Sequence, residues 1–300
     1  MYRKGVLLAF ITAGISGISI FSNSIFVSKV DPLIFALVRN ACVAILLSAV
    51  LIGSHRLNEL IALTKKQWLQ LLVIGAIGGG IPFALFFTGL AQIGGLNGNV
   101  LNKTLFIWVA LLAVPVLHEK IRPLQIAGYL ILFVGMFLVG GTFTFIQKAG
   151  SWLVLFATIL WSLEYIISKI ALKRLTPQVV GWGRIVFGLP FLLAAVFLVG
   201  KGSLLENPAS YALAPIAVSS ILLVFYILSW YSALKAAPAT LVSSILVVAP
   251  IVTALLALVI QGKGTANPQV MSFGLLIVGA VLVSSVVVWF KREVREWYDS

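Results

Sequence analysis

Apolar segments of about 20 residues follow one another along almost the whole chain, separated by short polar breaks. At 1.5 Å per residue a helix of that length crosses a hydrocarbon core of roughly 30 Å. A helix also satisfies its own backbone hydrogen bonds, which lipid cannot do for it. The expected spans are residues 5–27, 33–53, 69–90, 97–117, 124–145, 150–171, 178–199, 211–233, 239–260 and 269–290. The predicted fold class is an all-α integral membrane protein with ten transmembrane helices. Of 300 residues, 61% are hydrophobic and 10% charged, against roughly 25% charged in soluble domains, and this excludes a water-soluble domain. Arg3 and Lys4 precede the first span as they would in a signal peptide. That span is too long for a signal core and has no convincing small-residue cleavage site, so it is expected to stay as helix 1.

The segments divide into two copies of five. Residues 1–146 form the first five-helix repeat; residues 147–300 form the second, plus a short basic C-terminal tail. A shift of 144 positions pairs Ala110-Leu111-Leu112-Ala113 with Ala254-Leu255-Leu256-Ala257, Leu90 with Leu234, Gln125 with Gln269 and Gly135 with Gly279. A shift of 145 pairs Pro32 and Arg39 with Pro177 and Arg184, and a shift of 140 pairs Ser28-Lys29 with Ser168-Lys169. Nearly constant register across both halves argues for duplication. Because five is odd, the second copy is expected to enter the bilayer from the opposite side. Two inverted halves around a central site can open that site to each face in turn.

The net charge is +13, and its placement matters more than its size. Fourteen of the 21 Lys and Arg fall on the side of the N-terminus and four on the other, while Arg39, Lys103 and Arg184 lie inside helices. The positive-inside rule therefore puts both termini in the cytoplasm and the chain in the cytoplasmic membrane. The surplus charge marks topology and lipid contact, not a nucleic-acid footprint. Cys42 is the only cysteine, so neither an internal disulfide nor a thiolate metal cluster is expected. His55 and His118 form no metal-spaced pair. No metal site and no cofactor is predicted.

The two Ser-Lys segments followed by Pro and Arg, and Phe87-Thr88-Gly89-Leu90-Ala91 leading into helix 4, carry a family resemblance. Asn102-Lys103-Thr104, Pro115, His118-Glu119-Lys120, Gln125, Gly128 and Gly135 belong to the same pattern. Together they resemble the drug/metabolite transporter superfamily, in its EamA-type ten-helix branch, over essentially the whole chain. The resemblance implies a secondary transporter, most simply an exporter of small metabolites or amino acids across the cytoplasmic membrane by alternating access. It also implies that helices 1 to 4 and 6 to 9 wall a central cavity while helices 5 and 10 sit at the periphery. The chain departs from the pattern at Gln261-Gly262-Lys263-Gly264, where the family places a second glutamate. Any role of that glutamate passes to Glu119 alone.

Polar residues buried in a membrane protein turn toward a partner or a watery cavity. Helix 1 carries Thr12, Ser16, Ser19 and Asn23 at steps of 4, 3 and 4, one continuous stripe. Cavity lining and small-residue helix packing with Gly14 and Gly17 both account for it. Helix 6 carries Trp161, Glu164, Tyr165 and Ser168, and Glu164 is the only acid deep in a span. It is a proton-coupling group, a ligand for a cationic substrate, or half of an ion pair or gate with Arg184, whose depth in helix 7 nearly coincides with its own. Arg39 and Lys103 have no acid at their depth. Arg39 has Arg184 as its counterpart in the other half, whereas Lys103 has Val247 and so breaks the symmetry. Predicted substrate-binding residues are Ser16, Ser19, Asn23, Asn99, Asn102, Lys103, Trp161, Glu164, Tyr165, Tyr226, Trp230 and Ser243. The glycines at 78–80 with Pro82, and Pro115 and Pro250, are expected to interrupt helices 3, 4 and 9.

Expected partners are a small-molecule substrate, membrane lipid and a proton as one candidate coupling ion, with a homodimer left open and no nucleic acid. Two other functions stay in view. A flippase for a lipid-linked sugar would need a lateral opening to lipid. An intramembrane lipid-modifying enzyme would need a nucleophile with a base, or a metal cluster; both histidines lie at helix ends far from Glu164, so the chain is not expected to be an enzyme.

Overall fold

The computed structural model describes residues 2–28, 30–139, 148–206, 213–262 and 267–289. Among these the chain is all-helical, without strands. Eight helices are long and apolar enough to cross a membrane: α1 (Tyr2–Phe26), α2 (Pro32–Gly53), α3 (Lys65–Ile93), α4 (Asn97–Leu117), α6 (Ala149–Ala171), α7 (Pro177–Leu198), α8 (Leu213–Ala236) and α9 (Ala239–Gln261). Two further apolar helices, α5 (Pro123–Val139) and α10 (Asn267–Trp289), follow the fourth and the last of these. The expected count of ten spans therefore stands at eight plus two shorter apolar stretches within α5 and α10, Pro123–Met136 and Val270–Val283. The expected boundary between the halves, Lys29, Lys263 and the basic tail all lie outside the described residues.

The starts of several helices follow from local chemistry. Asp31 caps α2, its Oδ1 accepting from the N–H groups of Leu33 and Ile34 at 3.0 and 3.3 Å, with Pro32 as first helical residue. Thr64 and Gln67 form a reciprocal capping box at the start of α3. Thr176 precedes Pro177 at the start of α7, and Glu59 accepts from its N–H and hydroxyl at 2.7 and 2.8 Å.

The two halves run in opposite directions. A Cβ at Gly5, near the start of α1, would meet Ala237 Cβ at 2.8 Å beyond the end of α8. Lys169, in the last turn of α6, donates through Nζ to the carbonyls of Leu234 and Ala237 at 2.6 and 2.8 Å. The start of α1 and the end of α6 thus share one end of the bundle. At the other end, a Cβ at Gly150 near the start of α6 would meet Gln92 Cβ at 2.7 Å at the end of α3. Gly5 and Gly150 are 145 positions apart, the register already seen between α2 and α7. The pairs α1–α8 and α6–α3 are therefore pseudo-equivalent, each joining one half to the other by close antiparallel packing of small residues.

Helices α5 and α10 cross each other closely through Gly128, Gly135 and Gly279, where a Cβ on Gly279 would lie 2.7 Å from Leu132 Cγ. Leu132, Met136, Leu276, Ala280 and Val283 are buried in this contact, while Leu130, Phe133, Ile277 and Val281 are exposed. Exposed apolar side chains of this kind are what a lipid-facing surface requires.

Four helices are broken, and only partly where the prolines suggested. In α3 a π-helical turn spans Gly75–Gly80, ahead of Pro82. In α9 a 3₁₀ turn at Leu246–Val248 precedes Pro250. The break in α4 falls at Thr104 rather than at Pro115, which sits inside the segment Leu105–Leu117. A proline close to a helix end removes one hydrogen bond without forcing a break. Thr104 and Val248 are 144 positions apart, so α4 and α9 break at equivalent points. α7 breaks as well, around Gly188 ahead of Pro190.

Candidate functional site

A cavity with an empty volume of about 820 Å³, counting the part that opens to solvent, lies between the halves. Its wall is drawn from α1, α2, α3, α4, α6, α7, α8 and α9, and among the described residues none from α5 or α10 lines it. Of the twelve predicted site residues, all but Asn99 line it.

The polar stripe of α1 divides. Ser16, Ser19 and Asn23 line the cavity. Thr12 does not: its hydroxyl bonds to the Leu8 carbonyl at 2.6 Å and to Ser229 Oγ at 2.9 Å, so it serves α1–α8 packing. Asn23 Oδ1 accepts from Ser219 Oγ at 2.6 Å, which ties α1 to the first part of α8. Gly17 faces α9, where a Cβ would meet Ala249 O at 2.6 Å, while Gly14 faces open space. Both readings of the stripe thus hold for different residues, because a face of about 60° spans two neighbours.

Glu164 sits in the wall at 0% exposure. Its Oε1 accepts from the hydroxyls of Ser168 and of Tyr231, the latter at 2.7 Å. Its Oε2 accepts no hydrogen bond and lies 3.8 Å from Arg184 Nη1. Arg184 Nε and Trp161 Nε1 both donate to the Gly78 carbonyl, at 3.1 and 2.8 Å. The π-helical turn of α3 therefore binds α6 and α7 through one backbone oxygen. Such turns inside α-helices recur at functional sites. The expected pairing of Glu164 with Arg184 is present, inside the cavity wall rather than apart from it.

Two further cations line the cavity, and no carboxylate pairs with either among the described residues. Arg39 is 2% exposed. Its Nε and Nη2 donate to Asn40 Oδ1 at 3.1 and 2.7 Å, and its guanidinium lies 4.6 and 4.8 Å from the ring centroids of Phe87 and Phe83. Arg184 stands 5.7 Å from the same Phe83 ring and 4.9 Å from Trp230. Cation–π contacts of this kind contribute about 0.5–2 kcal/mol each. Lys103 Nζ donates to Ser16 Oγ at 3.0 Å and to Asn102 Oδ1 at 3.4 Å. Lys103 is the last residue before the break in α4, so the break and the charge adjoin.

The remaining predicted residues have mixed placements. Asn99 is fully buried, with Nδ2 bonded to Thr253 Oγ1 at 2.7 Å, so it joins α4 to α9 outside the lining. Tyr226 and Trp230 stack with centroids 6.1 Å apart and both line the cavity. Ser243 lines it too, with its hydroxyl donating to the Thr240 carbonyl at 3.0 Å. Phe83, Phe86, Ser219 and Tyr231 carry no mark in the sequence, and Phe87 is marked there only by the family resemblance. Apolar residues in an apolar chain carry no mark of the cavity, and Tyr231 reaches Glu164 across 67 positions.

The chain matches the EamA-like transporter family over residues 3–141 and again over 148–285. It is 28% identical over 267 residues to an uncharacterized transporter of Archaeoglobus fulgidus, covering 86% of this chain and 89% of that one. It is 25% identical over 293 residues to the uncharacterized transporter YyaM of Bacillus subtilis, covering 93% and 95%. The uncharacterized inner membrane transporter YhbE of Escherichia coli shares 28% over 184 residues, 58% of this chain and 57% of that one. A solved crystal structure superposes with a TM-score of 0.73 over 97% of this chain and 100% of the other at 15% identity, a likeness of fold. With one matching segment in each half and relatives of nearly equal length, this multi-pass membrane protein belongs to the EamA-like transporter family.

Proposed function

We propose that this protein is a secondary transporter that exports small metabolites or amino acids across the cytoplasmic membrane by alternating access. The observation that carries the reading is the cavity between the halves, to which each half contributes four helices in pseudo-equivalent positions. The repeats 1–146 and 147–300 rock against each other around that cavity. Substrate binds among Ser16, Asn102, Lys103, Trp161, Tyr165, Tyr226 and Ser243. At the end of the bundle where α1 begins, Lys169 and Glu119 tie helix ends together. The lining reaches Asn23 and Ser219 toward the opposite end. With both termini in the cytoplasm, as the distribution of positive charge favours, this arrangement is the outward-facing member of the cycle. The driving force is an ion gradient or the gradient of the substrate itself.

Reconstitution into liposomes tests the proposal. Purified protein is first screened by thermal shift against amino acids, nucleosides, sugars and cationic drugs, since a ligand that favours the folded state raises its apparent stability. A stabilising ligand is then loaded into proteoliposomes, and exchange of labelled for unlabelled ligand is expected, with a protonophore reporting on proton coupling. Exchange no faster than in protein-free liposomes, for every stabilising ligand, overturns the proposal.

A further inference from the structure

The cavity wall is electrically lopsided, and pseudo-symmetry shows where. Three cations line it, Arg39, Lys103 and Arg184, against one carboxylate, Glu164. Arg184 and Arg39 occupy equivalent positions, 145 apart, on α7 and α2. In the same register, which the packing of Gly5 and Gly150 also obeys, Glu164 on α6 corresponds to Ser19 on α1. The second half therefore supplies an acid beside its buried arginine. The first half supplies a hydroxyl at that place, and Ser19 Oγ is buried without a hydrogen-bond partner.

The environment of Arg39 agrees with an unanswered charge. Its donors reach only the neutral Asn40 among the described residues, and the Phe83 and Phe87 rings flank it. Tyr231, whose hydroxyl helps to hold Glu164, has Phe87 as its counterpart at the 144-residue shift that relates α3 to α8 through Leu90 and Leu234. The first half thus lacks both the acid and the hydroxyl that anchors it. Lys103 adds a second cation with only Ser16 and Asn102 as partners. A charge held in a membrane interior without a counter-ion marks a substrate or ion pathway.

We propose that the cavity selects organic carboxylate anions with an apolar body, and that the substrate's carboxylate docks beside Arg39 and Lys103 at Ser19, the place that Glu164 fills beside Arg184. This rests on the transport reading above and names the substrate class for it. Arg39 and Lys103 supply the charge, Ser19 donates a hydrogen bond, and the apolar body lies against Phe86, Phe87 and Trp161. A cation of the same shape meets net repulsion, and a neutral analogue leaves both positive charges unanswered.

Three probes of similar shape test the selection: 3-phenylpropionate, 3-phenylpropanol and phenethylamine, each measured by binding to purified protein and by flux in proteoliposomes. The expected order is propionate first, then the alcohol, with the amine last. Ser19→Glu places an acid in the equivalent position and is expected to weaken propionate binding at least about ten-fold more than alcohol binding, because the new carboxylate takes the anion's place and repels it. Lys103→Gln is the second variant, expected to reduce the preference for propionate over alcohol by about ten-fold. Equal losses for both probes in both variants, or an amine bound more tightly than the propionate by the unsubstituted protein, overturn the proposal. Flux of the alcohol or amine without the propionate sinks the anion site and leaves transport standing. Absence of flux for every ligand of the wider screen removes the transport reading itself.

Discussion

Glu119, just beyond the end of α4, caps the start of α9 through Thr240: its Oε2 accepts from the Thr240 hydroxyl at 2.6 Å and from the Thr240 N–H at 3.0 Å. Oε1 accepts from the Ala239 N–H at 2.7 Å, and the carboxylate is 4% exposed. A loop acid of the first half thus closes onto a helix N-terminus of the second, where free N–H groups and the helix dipole favour negative charge. In the second half the stretch Gln261-Gly262-Lys263-Gly264 carries no acid in the corresponding place.

Glu119→Ala is expected to lower stability by about 2 kcal/mol, the usual loss for a charged cap hydrogen-bonded to backbone. Glu119→Gln, which keeps an acceptor oxygen, should lose less. Thermal unfolding in detergent reads both. Equal stability of Glu119→Ala and the unsubstituted protein would show that the junction carries no net energy.

Removing one partner of the buried pair strands the other. Glu164→Gln and Arg184→Gln are each expected to destabilise by about 3–5 kcal/mol, because Glu164 is fully enclosed and Arg184 is 5% exposed. The double substitution should cost less than the sum of the singles, and a double-mutant cycle measures that coupling. Strict additivity would place the 3.8 Å separation beyond useful interaction.

The crossing of α3 and α7 depends on absent side chains. A Cβ at Gly79 would come within 2.7 Å of the Arg184 carbonyl carbon, and one at Gly188 within 2.7 Å of Gly79 Cα. Both obstacles are backbone, which cannot rotate away. Gly79→Ala should therefore cost about 1–3 kcal/mol through forced separation of the helices. Gly14→Ala is the control: nothing lies within 4 Å of its Cβ position, and the gain in helix propensity should leave stability unchanged or raise it by up to about 1 kcal/mol.

Lys103→Met removes the charge and keeps most of the side chain's length. Transport of carboxylate-bearing substrates is expected to fall about ten-fold or more, and transport of neutral ones by less. Ser16→Ala, which removes the 3.0 Å acceptor of Nζ, should give a smaller loss in the same direction. Initial rates in proteoliposomes at several substrate concentrations separate binding from turnover.

The amino-acid sequence alone determined the physical class of this protein: an apolar chain cut at about 20-residue intervals has no soluble solution, and the self-match between halves carries their duplication. Depth along a helix was legible as well, since each residue adds a fixed rise. That placed Glu164 and Arg184 at one level, where the structure pairs them. Rotation and partnership were decided only by the tertiary structure. Thr12 and Ser16 are one turn apart on the same stripe, yet one packs against α8 and the other bonds Lys103 in the cavity. Asn99 turns to Thr253, Tyr231 reaches Glu164, and Glu119 leaves its loop to cap α9. In a chain that is apolar on nearly every face, hydrophobic periodicity no longer reports which side of a helix is inward. Small-residue contacts such as Gly79 with α7 set how closely helices cross, and that choice fixes which polar groups face the cavity.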